Sequence, residues 1–158
     1  MKKKINIQFL IITLLAILTT VSLSIFVFYE LFKQEVMADL KTNTQLLVET
    51  DAWEQIVEKK DAGALDDGVK QLRLTLVDGT GEVILDTNAE VGSMDNHSAR
   101  PEISQALQTG EGQAIRQSST IGKNAFYYAI RLENGSVLRT AKEAGSITSV
   151  FESILPVI

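Results

Sequence analysis

The first feature of the chain is an apolar run over residues 5–28, which contains no charged side chain and follows three lysines at positions 2–4. A helix rises about 1.5 Å per residue, so this run would extend about 36 Å, and a bilayer core is about 30 Å thick. A cleaved signal peptide usually has an apolar region of only about 7–15 residues. The pattern therefore predicts a cytoplasmic tip and a retained transmembrane helix over residues 1–29, with the following domain outside the cytoplasm.

Residues 30–60 contain no proline or glycine, and apolar residues recur there at helical spacing. The stripe consists of Val36, Leu40, Thr44, Leu47 and Val48. Asp51 and Glu54 interrupt any continuous coiled-coil seam, so the pattern favours a helix that pairs loosely with a second copy near the membrane and packs on a sheet further out. On this hypothesis residues 30–62 form a signalling helix in a homodimer, with Val36, Leu40 and Leu47 near the partner chain.

Alternating apolar residues indicate a β-hairpin in the middle of the chain. One face of its first strand is formed by Leu72, Leu74 and Leu76. A second apolar run follows over residues 83–87. Between the two runs, Asp78-Gly79 and Gly81 are expected to supply the positive φ angles of a tight reversal.

Polar turns and short elements alternate over the rest of the chain. Proline and an acid at positions 101 and 102 belong in a first helical turn, so a short helix is expected over 101–109 after a polar loop. Three antiparallel strands are predicted over 113–118, 125–132 and 137–141. The fold class is therefore α+β, with a long N-terminal helix, a sheet of about five strands and a short crossing helix.

Composition narrows the functional classes. The formal net charge is −5, and residues 30–158 hold all 20 acidic groups against 12 basic ones, which argues against a nucleic-acid partner. The single histidine and the absence of cysteine exclude the common metal centres and thiol chemistry. No catalytic constellation and no phosphate-binding loop is present, so no catalytic residue, metal ligand or cofactor is predicted in this chain.

Charged and aromatic residues of the late strands are the candidates for ligand binding. If Arg116 and Arg139 point inward beside Tyr127 or Tyr128, they would form an anion- or carboxylate-binding pocket. If they point outward, they are ordinary edge-strand charges. The loop around His97 would close such a pocket, although a histidine that only fixes a turn is the simpler interpretation. The complete candidate set is His97, Arg100, Arg116, Tyr127, Tyr128 and Arg139.

Several segments, in this order, resemble a known sensor family. They are Arg-Leu-Thr-Leu-Val-Asp from position 73, Gly-Glu-Val-Ile-Leu-Asp-Thr-Asn from 81, Asp-Asn-His-Ser-Ala-Arg-Pro-Glu-Ile from 95, Phe-Tyr-Tyr-Ala-Ile-Arg-Leu from 126 and Gly-Ser-Val-Leu-Arg from 135. Together they are similar to the single Cache-like, PAS-related extracytoplasmic sensor of bacterial membrane histidine kinases, especially the phosphate-regulon type. The resemblance implies a Cache/PAS-like sensor domain over 63–145 and, over 146–158, a helix that leads into a second membrane span.

The resemblance also implies a function for the parent protein. Such a sensor lies outside the cell membrane and passes ligand or envelope signals to a cytoplasmic kinase, which would use ATP and Mg²⁺ and phosphorylate a response regulator. No such kinase region is present in this chain, and the native gene is expected to continue beyond Ile158. The alternatives are the sensor module of a chemoreceptor or of a cyclic-dinucleotide enzyme, a membrane-anchored binding protein, and a pilin-like structural protein.

Overall fold

The computed structural model describes residues 2–54, 72–117 and 124–144. Its first element, α1, is a helix over Lys2–Glu49. The chain divides into two compact units, Met1–Glu35 and Val36–Ile158. The large apolar side chains of the first unit are exposed, and the segment Ile7–Glu49 is long and apolar enough to cross a membrane, with a mean hydropathy of 2.6 in an 18-residue window.

α1 ends in a turn that begins at Thr50. Glu49 is its last residue, and Asp51 in the following turn has a φ of 51°. Aspartate tolerates this left-handed conformation better than most residues, since its short polar side chain bonds locally. The prediction of a helix unbroken to about residue 60 is therefore wrong at this turn, and residues 55–71 lie outside the described ranges.

A five-stranded antiparallel sheet forms the body of the second unit. The strands are β1 (Arg73–Val77), β2 (Val83–Asp86), β3 (Glu111–Gln117), β4 (Asn124–Arg131) and β5 (Val137–Ala144). Their order across the sheet is β2-β1-β5-β4-β3. A short 3₁₀ turn at Val91–Ser93 and the helix α2 over Pro101–Thr109 connect β2 to β3. Within the described ranges, the predicted α+β class, with a sheet of about five strands and a short helix after the long helix, is confirmed.

The predicted hairpin at the start of the sheet is present. Gly81 has a φ of 93°, whereas Gly79 does not take a positive φ, so only the second glycine supplies the left-handed conformation. Asp78 accepts hydrogen bonds from the backbone and hydroxyl of Thr80, at 2.8 and 2.7 Å, which fixes the reversal. A Cβ at Gly81 would also collide with Ser98, so the loop before α2 lies directly on this turn.

One face of the sheet, called here the helix face, packs against the second half of α1. Its buried residues include Leu74, Leu76, Phe126, Tyr128, Leu138 and Thr140. On α1, Leu40, Thr44 and Leu47 are buried in turn, and the Thr44 hydroxyl lies 2.6 Å from that of Thr140. The residues of α1 that were expected near a partner chain, Val36, Leu40 and Leu47, are therefore buried within the same chain, and Thr44 beside them contacts β5.

The opposite face carries α2. Ile103 and Ala106 of this helix are fully buried against Val77, Ala129 and Val137. At Gly112 the helix comes closest to β3, because an added Cβ would overlap the backbone carbonyl of Glu102. This approach fixes the first turn of α2, and with it the backbone of Glu102, against β3 at the edge of the sheet.

Candidate functional site

The strand register places the candidate arginines on the face covered by α2. Arg139 on β5 lies opposite Thr75 and Ala129. Tyr127 on β4 lies opposite Ala141, one step further along the same face. Arg116 on β3 lies opposite Ala125, so it also shares this side of the sheet. We call it the arginine face.

Glu102 joins the two arginines. Its side chain is fully buried, and its Oε1 accepts hydrogen bonds from Arg116 Nη2 and, at 3.4 Å, from Arg139 Nη1. Arg139 also donates through Nη2 to the hydroxyl of Thr75 at 2.8 Å. Glu102 lies in the first turn of α2, where the helix dipole favours a negative charge. The carboxylate is thus held by a helix terminus and by two guanidinium groups.

This arrangement leaves buried polar atoms without a partner. Among the described residues, Glu102 Oε2, Arg116 Nε, Arg139 Nε and His97 Nδ1 are buried and accept or donate no hydrogen bond. A buried group left in this state costs about 1–3 kcal/mol, and most such groups in proteins are satisfied. All four atoms lie on the side of the arginine face, so its hydrogen-bonding capacity exceeds what Glu102 uses.

The ring of Tyr127 makes cation–π contacts with the guanidinium groups of Arg116 and Arg139. The centre of its ring lies 4.1 Å from Cζ of Arg116 and 5.3 Å from Cζ of Arg139. A cation over an aromatic ring gains about 0.5–2 kcal/mol, with the larger values at desolvated sites. The ring therefore stabilises the positions of both arginines.

A second ion pair lies at the β1–β2 end of the face. Arg73 Nε donates to both carboxylate oxygens of Asp86, at 3.0 Å each, and the Thr75 hydroxyl donates to the same carboxylate at 2.7 Å. Burial by itself would raise the pKa of Asp86, but the hydrogen bonds from Thr75, the Asn88 backbone and Arg73 together hold this pKa below its usual value. Asp86 is therefore an ionised, structural partner of Arg73.

Positive charge dominates this cluster. Its cations are Arg73, Arg100, Arg116 and Arg139, and its carboxylates are the buried Asp86 and Glu102 and the exposed Glu143 of β5, which leaves a net of one positive charge. Burial lowers the pKa of Arg139, and Glu102 opposes this effect. Burial and the nearby Arg116 lower the pKa of Arg100. An additional negative group would relieve the repulsion among these cations.

His97 is buried in the loop next to this cluster. Its backbone N–H donates to Gly81 O at 2.7 Å, and its carbonyl accepts from the backbone of Arg100 at 2.9 Å. Burial, followed by the charges of Arg100 and Arg139, lowers the pKa of His97 to about 4. The imidazole is therefore neutral at pH 7. It fixes the loop that leads into α2 and lies close enough to two cluster arginines to sense their charge.

A cleft opens beside Tyr127 on the same face. Its volume is about 320 Å³, near the lower end of the range for small-ligand pockets. The small side chains of Ala125 and Ala141 leave this space between larger neighbours. Arg73 lies at one side of the cleft and the exposed carboxylate of Glu143 at another. The cleft thus meets the arginine face at Arg73 and Tyr127, whereas Arg116 and Arg139 do not line it.

Tyr128 and Arg131 lie away from the cluster. Tyr128 is on the helix face, where its hydroxyl donates to Glu111 at 2.5 Å, and burial together with Glu111 raises its pKa to about 12. Of the two adjacent tyrosines only Tyr127 accompanies the arginines, so the placement of Tyr128 in the same pocket is wrong. Arg131 donates to the carbonyl of Leu107 at 3.2 Å and so caps the last turn of α2.

The sequence pattern did not identify the carboxylates of the site. Glu102 was recognised only as a first-turn acid of α2, and Asp86 only as the end of a strand. The signal that could have pointed to Glu102 is the pair of small residues on β3 and β4, Gly112 and Ala129, which are opposite each other and let the first turn of α2 approach the sheet. The structure brings together His97, Arg100, Arg116, Tyr127 and Arg139.

The chain matches no protein-family profile and no curated protein. Among solved structures it is similar to the extracellular domain of rpHK1S-Z16, named as a histidine kinase, with 14% identity and a TM-score of 0.40 over 64% of this chain and 39% of that one. It is also similar to the Bacillus subtilis YkuI protein, which has an EAL domain and was crystallised with c-di-GMP and calcium, with 13% identity and a TM-score of 0.46 over 76% of this chain and 36% of that one. The chain thus spans well under half of either protein, and at such identities neither similarity assigns it a function.

Proposed function

We propose that this chain is the signal-input region of a membrane sensor histidine kinase, with the sheet outside the cytoplasm and α1 crossing the cell membrane. The observation that supports this proposal best is that adjacent residues of β4 and of β5 lie on opposite faces, one beside the arginines and the other beside α1. Arg139 and Thr140 are neighbours on β5, and Tyr127 and Tyr128 are neighbours on β4. In each pair, one residue belongs to the arginine face and the other contacts or neighbours α1.

On the helix face, polar contacts tie α1 to the same two strands and to β3. The Thr44 hydroxyl donates to the Leu40 carbonyl at 2.6 Å, so the single proton of Thr140 is the one that bridges the two threonines. Lys41 donates to Glu111 at 2.8 Å, the same carboxylate that Tyr128 contacts. A displacement of β4 or β5 would therefore change contacts of α1 directly.

A small ligand or an envelope protein bound at the arginine face would act through these strands. A ligand can shift α1 only by the difference in its affinity for two arrangements of the sheet and helix. α1 would carry the change through the bilayer to the kinase region of the parent protein. That region would bind ATP and Mg²⁺ and phosphorylate a response regulator. The proposal includes no nucleic-acid partner.

The proposal includes a homodimer, but its contact surface on α1 differs from the one that the sequence pattern predicted. Since Val36, Leu40 and Leu47 pack within the chain, a second copy would meet the opposite side of the helix. That side carries the exposed residues Ala38, Thr42 and Leu46, at spacings of four.

The test uses the complete native gene product in membrane vesicles, with phosphorylation by labelled ATP as the measurement. We expect autophosphorylation of the wild type, and a changed rate for Thr44→Val, which removes the contact with Thr140. Thr50→Val is the matched control, because Thr50 makes the same hydroxyl bond to the carbonyl four residues earlier, at 2.6 Å, but is exposed. A gene product that takes no phosphate from ATP, or a native gene with a stop codon directly after Ile158, would overturn the histidine-kinase proposal.

A further inference from the structure

The geometry points to Glu102 as a tethered competitor: its carboxylate occupies an oxyanion site between Arg116 and Arg139, and a free small oxyanion binds there by displacing it. The inference rests on the arginine face being the ligand site of the proposed sensor, and it specifies how that site is regulated. The chemical class is an anion with two or more oxygens, such as a carboxylate or a phosphate.

The first reason is the incomplete bonding of Glu102. Both guanidinium groups meet one carboxylate oxygen, Oε1, while Oε2 has no partner among the described residues. Arginine binds carboxylates and phosphates best through two parallel hydrogen bonds, and here Nε of each arginine remains unused. The carboxylate of Glu102 is tethered to α2 and in its observed position meets neither Nε group, whereas a free oxyanion can orient itself to both.

The second reason is the charge that surrounds the pair. The cluster carries four arginines against the buried carboxylates of Asp86 and Glu102 and the exposed carboxylate of Glu143, so an excess of positive charge favours an anion in the place of Glu102. Replacing one negative group by another leaves the buried charge almost unchanged. The exchange therefore avoids the large desolvation cost of creating a new buried charge.

The third reason is access. The Arg116 side chain is 34% exposed, whereas Arg139 is almost completely buried, so the outer edge of the pair meets solvent at Arg116. The backbone of Glu102 is held against Gly112, so the carboxylate leaves by rotation of its side chain and α2 can stay in place. The ligand enters from the side of β3, next to Tyr127.

A tethered competitor also sets the ligand concentration at which the site becomes occupied. An intramolecular group acts at an effective concentration of about millimolar or more. The free ligand must therefore reach a comparable concentration, or make contacts that Glu102 lacks, before it displaces the carboxylate. Removal of the competitor is expected to lower the apparent dissociation constant.

The experiment compares the full chain in nanodiscs with Glu102→Gln and with Glu133→Gln, an exposed turn residue that matches the change in charge. The probes are acetate and inorganic phosphate, titrated at constant ionic strength against chloride, with the thermal unfolding midpoint as readout. We expect Glu102→Gln to bind at least one probe about tenfold more tightly than the wild type, and Glu133→Gln to match the wild type. Equal or weaker binding by Glu102→Gln, or no binding by any of the three proteins, overturns the inference.

Glu102→Gln leaves the buried Arg139 and the partly exposed Arg116 without this counter-charge and could fail to fold. In that case the inference is tested on the wild-type protein by NMR. The ¹⁵N–¹H signals of the arginine Nε groups and the ¹³C signal of the Glu102 carboxylate are followed during the same titration. Displacement predicts that the signals of Arg116, Arg139 and Glu102 all shift together. Shifts of the arginines with an unchanged Glu102 signal contradict it. Neither result depends on kinase activity, so failure of the competitor inference is distinguishable from failure of the sensor proposal.

Discussion

The two faces of the sheet solve the problem of buried polar groups in different ways. On the helix face, large apolar side chains such as Phe126 and Leu138 are almost fully buried, and the polar groups of Thr44, Thr140 and Tyr128 are bonded to one another or to a neighbour. On the arginine face, guanidinium and carboxylate groups are buried, and all four unpartnered buried atoms of the described chain lie there. Both faces contain apolar contacts, since α2 packs on Val77, Ala129 and Val137, but only the arginine face also retains the unsatisfied groups that a ligand site uses.

The largest effect that would distinguish the two faces concerns the neighbours Phe126 and Tyr127. Phe126 is fully buried on the helix face, so Phe126→Ala should lower the free energy of unfolding by about 3–5 kcal/mol. Tyr127 is half-buried and loses mainly its contacts with two arginines, so Tyr127→Ala should cost about 1–2 kcal/mol. Urea unfolding of the full chain in nanodiscs measures both values. Equal losses would show that the two faces contribute alike to stability.

The next effect is a dependence of the unfolding free energy on pH between about 4 and 6.5, which is caused by His97 beside the arginine face. The pKa of His97 is lowered from 6.5 to about 4 in the folded chain, so between these values the unfolded chain binds a proton that the folded chain refuses. Stability is therefore complete above about pH 6.5 and falls as the pH decreases toward 4, by about 3 kcal/mol in total. The measurement is the unfolding free energy at half-unit steps of pH.

His97→Gln provides the control for this window. A glutamine does not titrate, so its unfolding free energy should stay nearly constant from pH 6.5 to about 4.5. The carboxylates with lowered pKa, such as Asp86 and Asp78, act only at lower pH, because their stabilisation is lost below their ordinary range. A wild-type profile that is as flat as that of His97→Gln would mean that His97 titrates normally in the folded chain.

How much of this fold the sequence predicts can be seen from the hairpins. Alternating leucines at 72, 74 and 76 and the reversal that contains Gly81 identify the first two strands because they depend on local chemistry, and the structure confirms them. Adjacent tyrosines cannot be assigned to a face in the same way, since a shift of one residue in register reverses every side chain. Glu102 and Asp86 were missed as site residues because their role depends on partners that are distant in sequence.

The apolar stripe of α1 shows a related limit of prediction from sequence. Helical spacing correctly indicates that Val36, Leu40 and Leu47 are buried, but it does not say what covers them. They are buried within their own chain, so the pattern that suggested a partner helix has an intramolecular explanation.

The smallest predicted effect concerns the polar contact between α1 and the sheet. Thr44→Val should lower the unfolding free energy by about 1–2 kcal/mol, because it leaves the buried hydroxyl of Thr140 without a partner. Thr50→Val should change stability by less than about 0.5 kcal/mol, since the hydroxyl of Thr50 is exposed. If the two variants are equally stable in thermal and urea unfolding, the contact between Thr44 and Thr140 contributes little to holding α1 on the sheet.

The central claim is that a change on the arginine face reaches α1 through β4 and β5. Hydrogen exchange of the full chain in nanodiscs tests it most directly, by comparing wild type, Glu102→Gln and Glu133→Gln. The account predicts that Glu102→Gln changes exchange at the α1 amides from Val36 to Leu47 by at least about threefold, and by more than at the β2 amides of Val83–Asp86, whereas Glu133→Gln changes neither. Altered exchange that is confined to α2 and the arginine face, with α1 unchanged, would contradict it.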